Sequence, residues 1–206
     1  WPGFASGSVT PLPHPNRGLA LADGAQRGGS NVERHMPNGR EVLLGEDEII
    51  VSKTDLKGRI TYANDVFLRI CGYDESEVLD APHSLIRHPD MPRCVFGLLW
   101  DVLESGHEVF AFVKNLTKSG DFYWVFAHVT PTFNSGRIVG YHSNRRAPAR
   151  AALPLLDTLY EELRTEEAKF PRDQQVAAGR RKLDAILAQR ATTYEAFVFS
   201  LERMSR

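Results

Sequence analysis

The residues best equipped for chemistry gather in one short stretch, Pro82-His83-Ser84-Leu85-Ile86-Arg87-His88-Pro89-Asp90-Met91-Pro92. It brings two imidazoles, a guanidinium and a carboxylate together, groups that donate, accept or change charge near neutral pH. Their plain structural alternative is local. Arg87 and Asp90 can pair at a surface, worth about 0–1 kcal/mol, while one histidine caps loop backbone and the other meets solvent. Cys71 and Cys94 have neither disulfide nor metal-ligand spacing. Cys94 falls at a helix start, where a depressed thiol pKa is expected. The sequence holds no Gly-rich phosphate loop, metal-ligand helix motif, nucleophile elbow, or kinase or cyclase signature. The expectation is a chain that binds or senses, not an enzyme.

Around this stretch the pattern predicts the elements that hold it. Ile49-Ile50-Val51 and Arg59–Ala63 read as two strands joined through Asp55-Leu56-Lys57-Gly58. Asn64-Asp65 caps a helix carrying Val66, Phe67 and Ile70, and Gly72 stops it. A short turn follows with Asp74 as its cap, and then Ala81–Pro92, whose three prolines predict a loop. Pro92 opens a longer helix with an apolar stripe of Val95, Phe96, Leu99, Trp100, Val102 and Leu103, ended by Gly106. Glu108–Leu116, Phe122–Thr130 and Arg137–Asn144 then read as three strands, with hairpin chemistry at Lys118–Asp121 and Asn134–Gly136. The order ββαααβββ implies an α+β domain with a five-stranded antiparallel sheet and short helices over one face. The space between helices and sheet is where a small molecule would sit.

The flanks differ in composition. Residues 1–46 are rich in Pro and Gly with scattered apolar residues, so a flexible extension is expected. Met36 is a candidate natural start, with residues 1–35 added by an expression vector or an upstream start. Residues 47–146 form the predicted domain, and residues 149–206 are Leu-, Ala-, Glu- and Arg-rich. In that last segment Leu156, Leu159, Tyr160 and Leu163 share a helical face, and Pro171 breaks the run. Leu183, Leu187, Arg190, Tyr194, Phe197, Leu201 and Met204 then repeat at heptad spacing, which suits a seam against another helix. Arg145-Arg146-Ala147-Pro148 reads as a hinge, and the helices beyond it as an output or dimerisation element. A homodimer through the seam, or a signalling-protein partner, is expected.

With 42% apolar and 25% charged residues in 206, and a formal net charge of −1, the composition is that of an ordinary globular chain. Such a charge balance gives no reason to expect nucleic acid or an anionic membrane as partner. No apolar run approaches the ~20 residues of a membrane helix. The N-terminus lacks a signal-peptide layout, so a cytoplasmic location is expected.

The stretch from Tyr62 to Trp124 carries a resemblance. Tyr62-Ala63-Asn64-Asp65, Gly72-Tyr73, the Pro82–Pro92 run, Phe96, Trp100, Val113-Lys114-Asn115 and Gly120-Asp121-Phe122-Tyr123-Trp124 resemble the PAS domain of bacterial aerotaxis transducers. The resemblance covers about 100 residues, and the Pro82-His83…Arg87-His88-Pro89-Asp90-Met91-Pro92 stretch is its most diagnostic part. It implies a PAS fold, noncovalent FAD and a role in reporting redox state or oxygen. It also implies a cofactor pocket containing Asn64, His83, Arg87, Asp90 and Asn115, to which we add His88 and Phe96. The side-chain amides of Asn64 and Asn115 match the pyrimidine edge of a flavin, and Arg87 or a histidine its ribityl chain or phosphates. Asn64 has a competing role as helix cap. One position departs from the family, which has a tryptophan where this chain has Val109. Phe110, one residue on, should face the opposite side of the sheet.

Two other readings remain open at this point. A haem b site would use His83 or His88; no Cys-x-x-Cys-His is present for covalent attachment. FMN could replace FAD. In a cofactor-free PAS interaction module, side chains would fill the pocket. Trp100, Tyr123 and Trp124 are expected in the core. The Asn-Cys-Arg-Phe-Leu loop of light-sensing PAS relatives is missing, so Cys94 is not expected to be photoreactive.

Overall fold

The structure is a computed structural model describing residues 36–204. The two opening strands are β1 (Ile50–Thr54) and β2 (Ile60–Ala63), followed by helices α1 (Asp65–Cys71) and α2 (Glu75–Val78). A 3-10 turn at His83–Ile86 leads to α3 (Arg93–Glu104). Strands β3 (Val109–Leu116), β4 (Phe122–Asn134) and β5 (Arg137–Arg146) complete one antiparallel sheet of order β2-β1-β5-β4-β3. The chain ends in α4 (Leu153–Glu167), α5 (Gln175–Gln189) and α6 (Tyr194–Glu202).

Local signals act where the sequence places them. The Asn64 carboxamide accepts the Phe67 N–H and caps α1, while Gly72 closes it in the left-handed conformation at φ 73°. Asp74 and Glu77 form a capping box on α2. Pro92 lies one residue outside α3 as its N-cap, not within it. β5 runs two residues beyond Asn144, so Arg145 and Arg146 belong to the sheet and not to a hinge.

Strand alternation divides the sheet into two buried faces. Ala111, Val113 and Asn115 of β3 and Tyr123, Val125 and Ala127 of β4 share the face under α1–α3. Phe110, Phe112, Trp124 and Phe126 point the other way, where α4 and α6 cover them. Tyr160 of α4 donates its hydroxyl to the Phe112 carbonyl at 2.7 Å and lies 5.9 Å from the Trp124 ring. Phe199 of α6 lies 4.7 Å from Phe110.

The last helix pair corrects the expected seam. α5 stops at Gln189, Ala191 takes a positive φ of 49°, and the Thr193 side chain caps α6. Two separate helices therefore replace one heptad run. Leu183, Leu187, Phe197 and Leu201 are buried in the core of this same chain. The stripe that suggested a homodimer is thus covered from within.

α5 crosses α3 at small residues. A Cβ on Gly179 would meet the Cys94 Sγ at 2.8 Å and the Glu167 Oε1 at 2.5 Å. Only glycine admits that approach.

Part of the Pro- and Gly-rich extension is also docked, while residues 1–35 lie outside the described residues. Glu41 pairs in parallel with Phe122, and the Arg40 guanidinium grips Asp121 through Nε at 2.7 Å and Nη2 at 2.8 Å. Asp121 sits at the hairpin before β4, so this fork holds the extension to the sheet edge.

Candidate functional site

A cavity of about 140 Å³ lies between α3, the sheet and the loop that follows α2. Phe96, Leu99 and Trp100 of α3 face Val113, Ala127 and Val129 of the sheet across it. Polar groups enter from three directions: Ser52 from β1, Asn115 from β3, and Ser143 and Arg145 from β5. The loop adds His83 and Arg87.

Backbone pairing fixes that loop. Arg59 bridges Pro82, the His83 N–H donates to the Gly58 carbonyl at 2.9 Å, and Arg87 bridges Asn115. The chemistry-bearing stretch is therefore an extra rung on two strands, and its first half closes the cavity.

Of the candidate residues, His83, Arg87, Phe96 and Asn115 come together here. The His83 Nε2 lies 3.2 Å from the Ser52 hydroxyl, and its ring stands edge-on to Phe67. Burial, then the charge of Arg145, push its pKa down to about 3, so the imidazole is neutral. The Arg87 guanidinium lies 4.1 Å above the Phe96 ring, and its Nη2 donates to the Met91 carbonyl at 3.4 Å. Asn115 is 3% exposed, and its Nδ2 has no hydrogen-bond partner. A buried donor left unmade is costly, so this amide is a position where a ligand acceptor would be stabilised.

Three candidates lie elsewhere. Asn64 is consumed by structure: its Oδ1 accepts the Val51 and Phe67 N–H groups, both at 3.0 Å, and its Nδ2 donates to the Ile49 carbonyl. The cap has won over the pocket. His88 is buried beyond the cavity, with Nδ1 accepting the Asp90 N–H at 3.1 Å and its ring edge against Phe122. Burial lowers its pKa, against the pull of Asp90. Asp90 points to the outer side, where Lys114 at 3.1 Å and Arg164 at 3.0 Å hold its carboxylate. Proximity in sequence brought the loop residues to one neighbourhood, but His83 and Arg87 line the cavity while His88 and Asp90 do not.

The register argument at the start of β3 holds. Val109 is buried on the cavity side of the strand, and Phe110 stacks on His128 at 4.3 Å on the far side. Trp100 lines the cavity, edge-on to Tyr141 at 5.2 Å, where the sequence had put it in the core. Cys94 is buried, and burial together with the Glu167 charge raises its pKa, opposite to the depression expected at a helix start.

Sequence reasoning missed Arg145. It is 3% exposed; Nη2 donates to the Ser52 hydroxyl, and Nε and Nη1 have no partner. Strand parity was the available signal, since Tyr141, Ser143 and Arg145 alternate onto one face once β5 is extended.

These residues fit a planar, partly polar ligand. The walls are apolar, and unpartnered donors on Asn115 and Arg145 wait for acceptors. The volume is close to the ~150 Å³ void that accepts a single benzene. A three-ring flavin therefore needs side chains at the rim to move.

Comparison with known proteins agrees with the architecture. Residues 60–144 match the family model described as PAS fold. The aerotaxis receptor of Escherichia coli (strain K12) is 39% identical over 120 residues, 58% of this chain and 24% of that protein. The nitrogen fixation regulatory protein of Klebsiella pneumoniae is 27% identical over 105 residues, 50% of this chain and 21% of its own. The chain thus spans about a quarter or less of these relatives. A light-oxygen-voltage domain studied with a flavin analogue superposes with TM-score 0.48 at 20% identity, covering 55% of this chain and 87% of that one. Residues 60–144, which supply most of the cavity lining, thus match the PAS fold, and the chain is similar in sequence to the aerotaxis receptor.

Proposed function

We propose that this chain is a cytoplasmic sensor of redox state or oxygen that binds a flavin noncovalently in the cavity and signals through α4–α6. The observation that carries the reading is Asn115. A buried amide donor without a partner, between apolar walls, matches the carbonyl-bearing edge of a flavin ring. FAD is preferred to FMN on the resemblance of the Tyr62–Trp124 stretch to the PAS domain of aerotaxis transducers. Haem is the weaker assignment, because His83 is bonded to Ser52 and His88 to the Asp90 backbone. Among the described residues no helix is long and apolar enough to cross a membrane.

A bound flavin supplies the redox step and changes which of its ring nitrogens carry protons. The chain's own residues do the rest. Asn115 and Arg87 orient the ring edge, and the α3 side chains exclude water. Because the cavity is small, binding displaces the Arg87 loop or Trp100. The same loop carries Asp90, which is ion-paired to Arg164 of α4. A shift of the loop therefore changes the strain on α4, the differential contact that a two-state switch requires.

An absorption spectrum tests the reading. Purified protein, or protein incubated with FAD and desalted, should show the blue-light band of oxidised flavin. A Soret band would mean haem. A protein that stays colourless after FAD is a cofactor-free interaction module instead.

A further inference from the structure

Arg145 stands out among the buried groups of the cavity. Its guanidinium cannot shed its proton as a lysine can. Burial lowers its pKa only to about 10, so it stays charged at neutral pH. Its single hydrogen-bond partner is the neutral hydroxyl of Ser52. Phe67, with its ring 5.2 Å from the guanidinium carbon, returns only part of the lost hydration. Among the described residues no carboxylate lines the cavity, while Lys57 and Arg87 add two further cations and His83 stays neutral. A buried charge with open donors and no counter-ion is costly until something negative arrives.

We propose that Arg145 is an anion receptor built into the cavity, and that the cavity's ligand is an aromatic molecule presenting a negatively charged or carbonyl-bearing group to its free Nε and Nη1. The apolar walls of Phe96, Leu99 and Val113 receive the ring, and the guanidinium receives the acceptors. This rests on the cavity being the ligand site and not on the ligand being a flavin. Within flavins the acceptor could be the ring edge or the phosphate. A single aromatic carboxylate is the smallest molecule that meets the same chemistry in about 140 Å³.

The test compares the full chain with Arg145→Met by calorimetric titration with riboflavin, FMN and benzoate, alongside melting of ligand-free protein. Removing an uncompensated charge should leave the ligand-free melting temperature unchanged or higher. The same change should weaken binding by about ten- to hundredfold, the loss of a charge-assisted hydrogen bond. Equal losses for riboflavin and FMN place the ring edge at Arg145. A loss for FMN alone places the phosphate there. Wild-type protein that binds benzoate but no flavin overturns the flavin reading and leaves the anion receptor standing. Unchanged affinities in Arg145→Met, or wild-type protein that binds none of the probes, overturn the proposal. If Arg145→Met does not fold, Arg145→Lys decides: it keeps the charge, loses the fork, and should bind several-fold more weakly. Wild-type affinity in that variant also refutes the assignment.

Discussion

Glu167 should be the most sensitive point of attachment between the C-terminal helices and the PAS domain. It lies at the end of α4, 4% exposed, and reaches the first turn of α3. Its Oε1 accepts the Cys94 N–H at 2.7 Å and its Oε2 the Arg93 N–H at 2.9 Å. These are orphan donors of a helix N-terminus, so the carboxylate also meets the favourable end of the helix dipole. Hydrogen bonds to a charged group contribute about 1.5–3 kcal/mol each. Glu167→Ala strands both donors and should cost about 3–5 kcal/mol, allowing for non-additivity. Glu167→Gln keeps one acceptor and turns an N–H₂ toward the second donor, for a loss of about 1.5–3 kcal/mol. For a chain of this size the loss in Glu167→Gln lowers Tm by about 3–12 °C. Urea unfolding followed by circular dichroism reads the difference as a lower midpoint at constant slope. A Glu167→Ala variant within about 0.5 kcal/mol of wild type, the range of neutral surface changes, would refute the argument that this cap binds α4 to α3.

Other outcomes follow from the same contacts. Gly179→Ala gains up to ~1 kcal/mol of helix propensity, yet its Cβ would press on Cys94 and Glu167 at 2.8 and 2.5 Å; chemical denaturation should show net destabilisation, and a more stable variant would contradict the close crossing. His83 titrates near 6.5 unfolded and near 3 folded, so the unfolded chain takes up the proton first as pH falls. Stability should therefore decline from about pH 6.5 toward about pH 3, and a His83→Gln variant with the same slope would reassign that dependence. A chain ending at Pro148 uncovers Trp124 and Phe126; it should scatter more light and bind more hydrophobic dye than the full chain, and equal behaviour would mean the outer sheet face does not need its helices.

Most of the fold was legible because its signals are local. The Asn64 and Asp74 caps, the stop at Gly72 and the two Gly-bearing hairpin turns each act within a few residues, so the sequence pattern located the PAS elements closely. Long-range relations were harder. Heptad spacing from Leu183 to Met204 says that one face is apolar, but not whether its partner is another chain or the chain's own sheet. The break at Thr192-Thr193 was readable as a capping signal and was masked by the spacing running through it. His83, Arg87 and Asn115 line the same cavity because loop and strand bring them together by backbone pairing. His88 and Asp90 lie outside the cavity because their own contacts hold them elsewhere, His88 on the Asp90 backbone and Asp90 on Lys114 and Arg164. Arg145 was missed because a pair of arginines before a proline reads as a hinge until the strand's alternation is carried two residues further.

Hydrogen exchange on the full chain, with and without saturating FAD, addresses both binding and output at once. The account predicts slower exchange in residues 82–92, in α3 and at the end of β5, with a second change in α4, reached through Asp90 and Arg164. β2 and the β4–β5 hairpin tip should not respond. No difference on adding FAD, or protection confined to β1 and β2, would contradict a flavin-binding cavity coupled to the C-terminal helices.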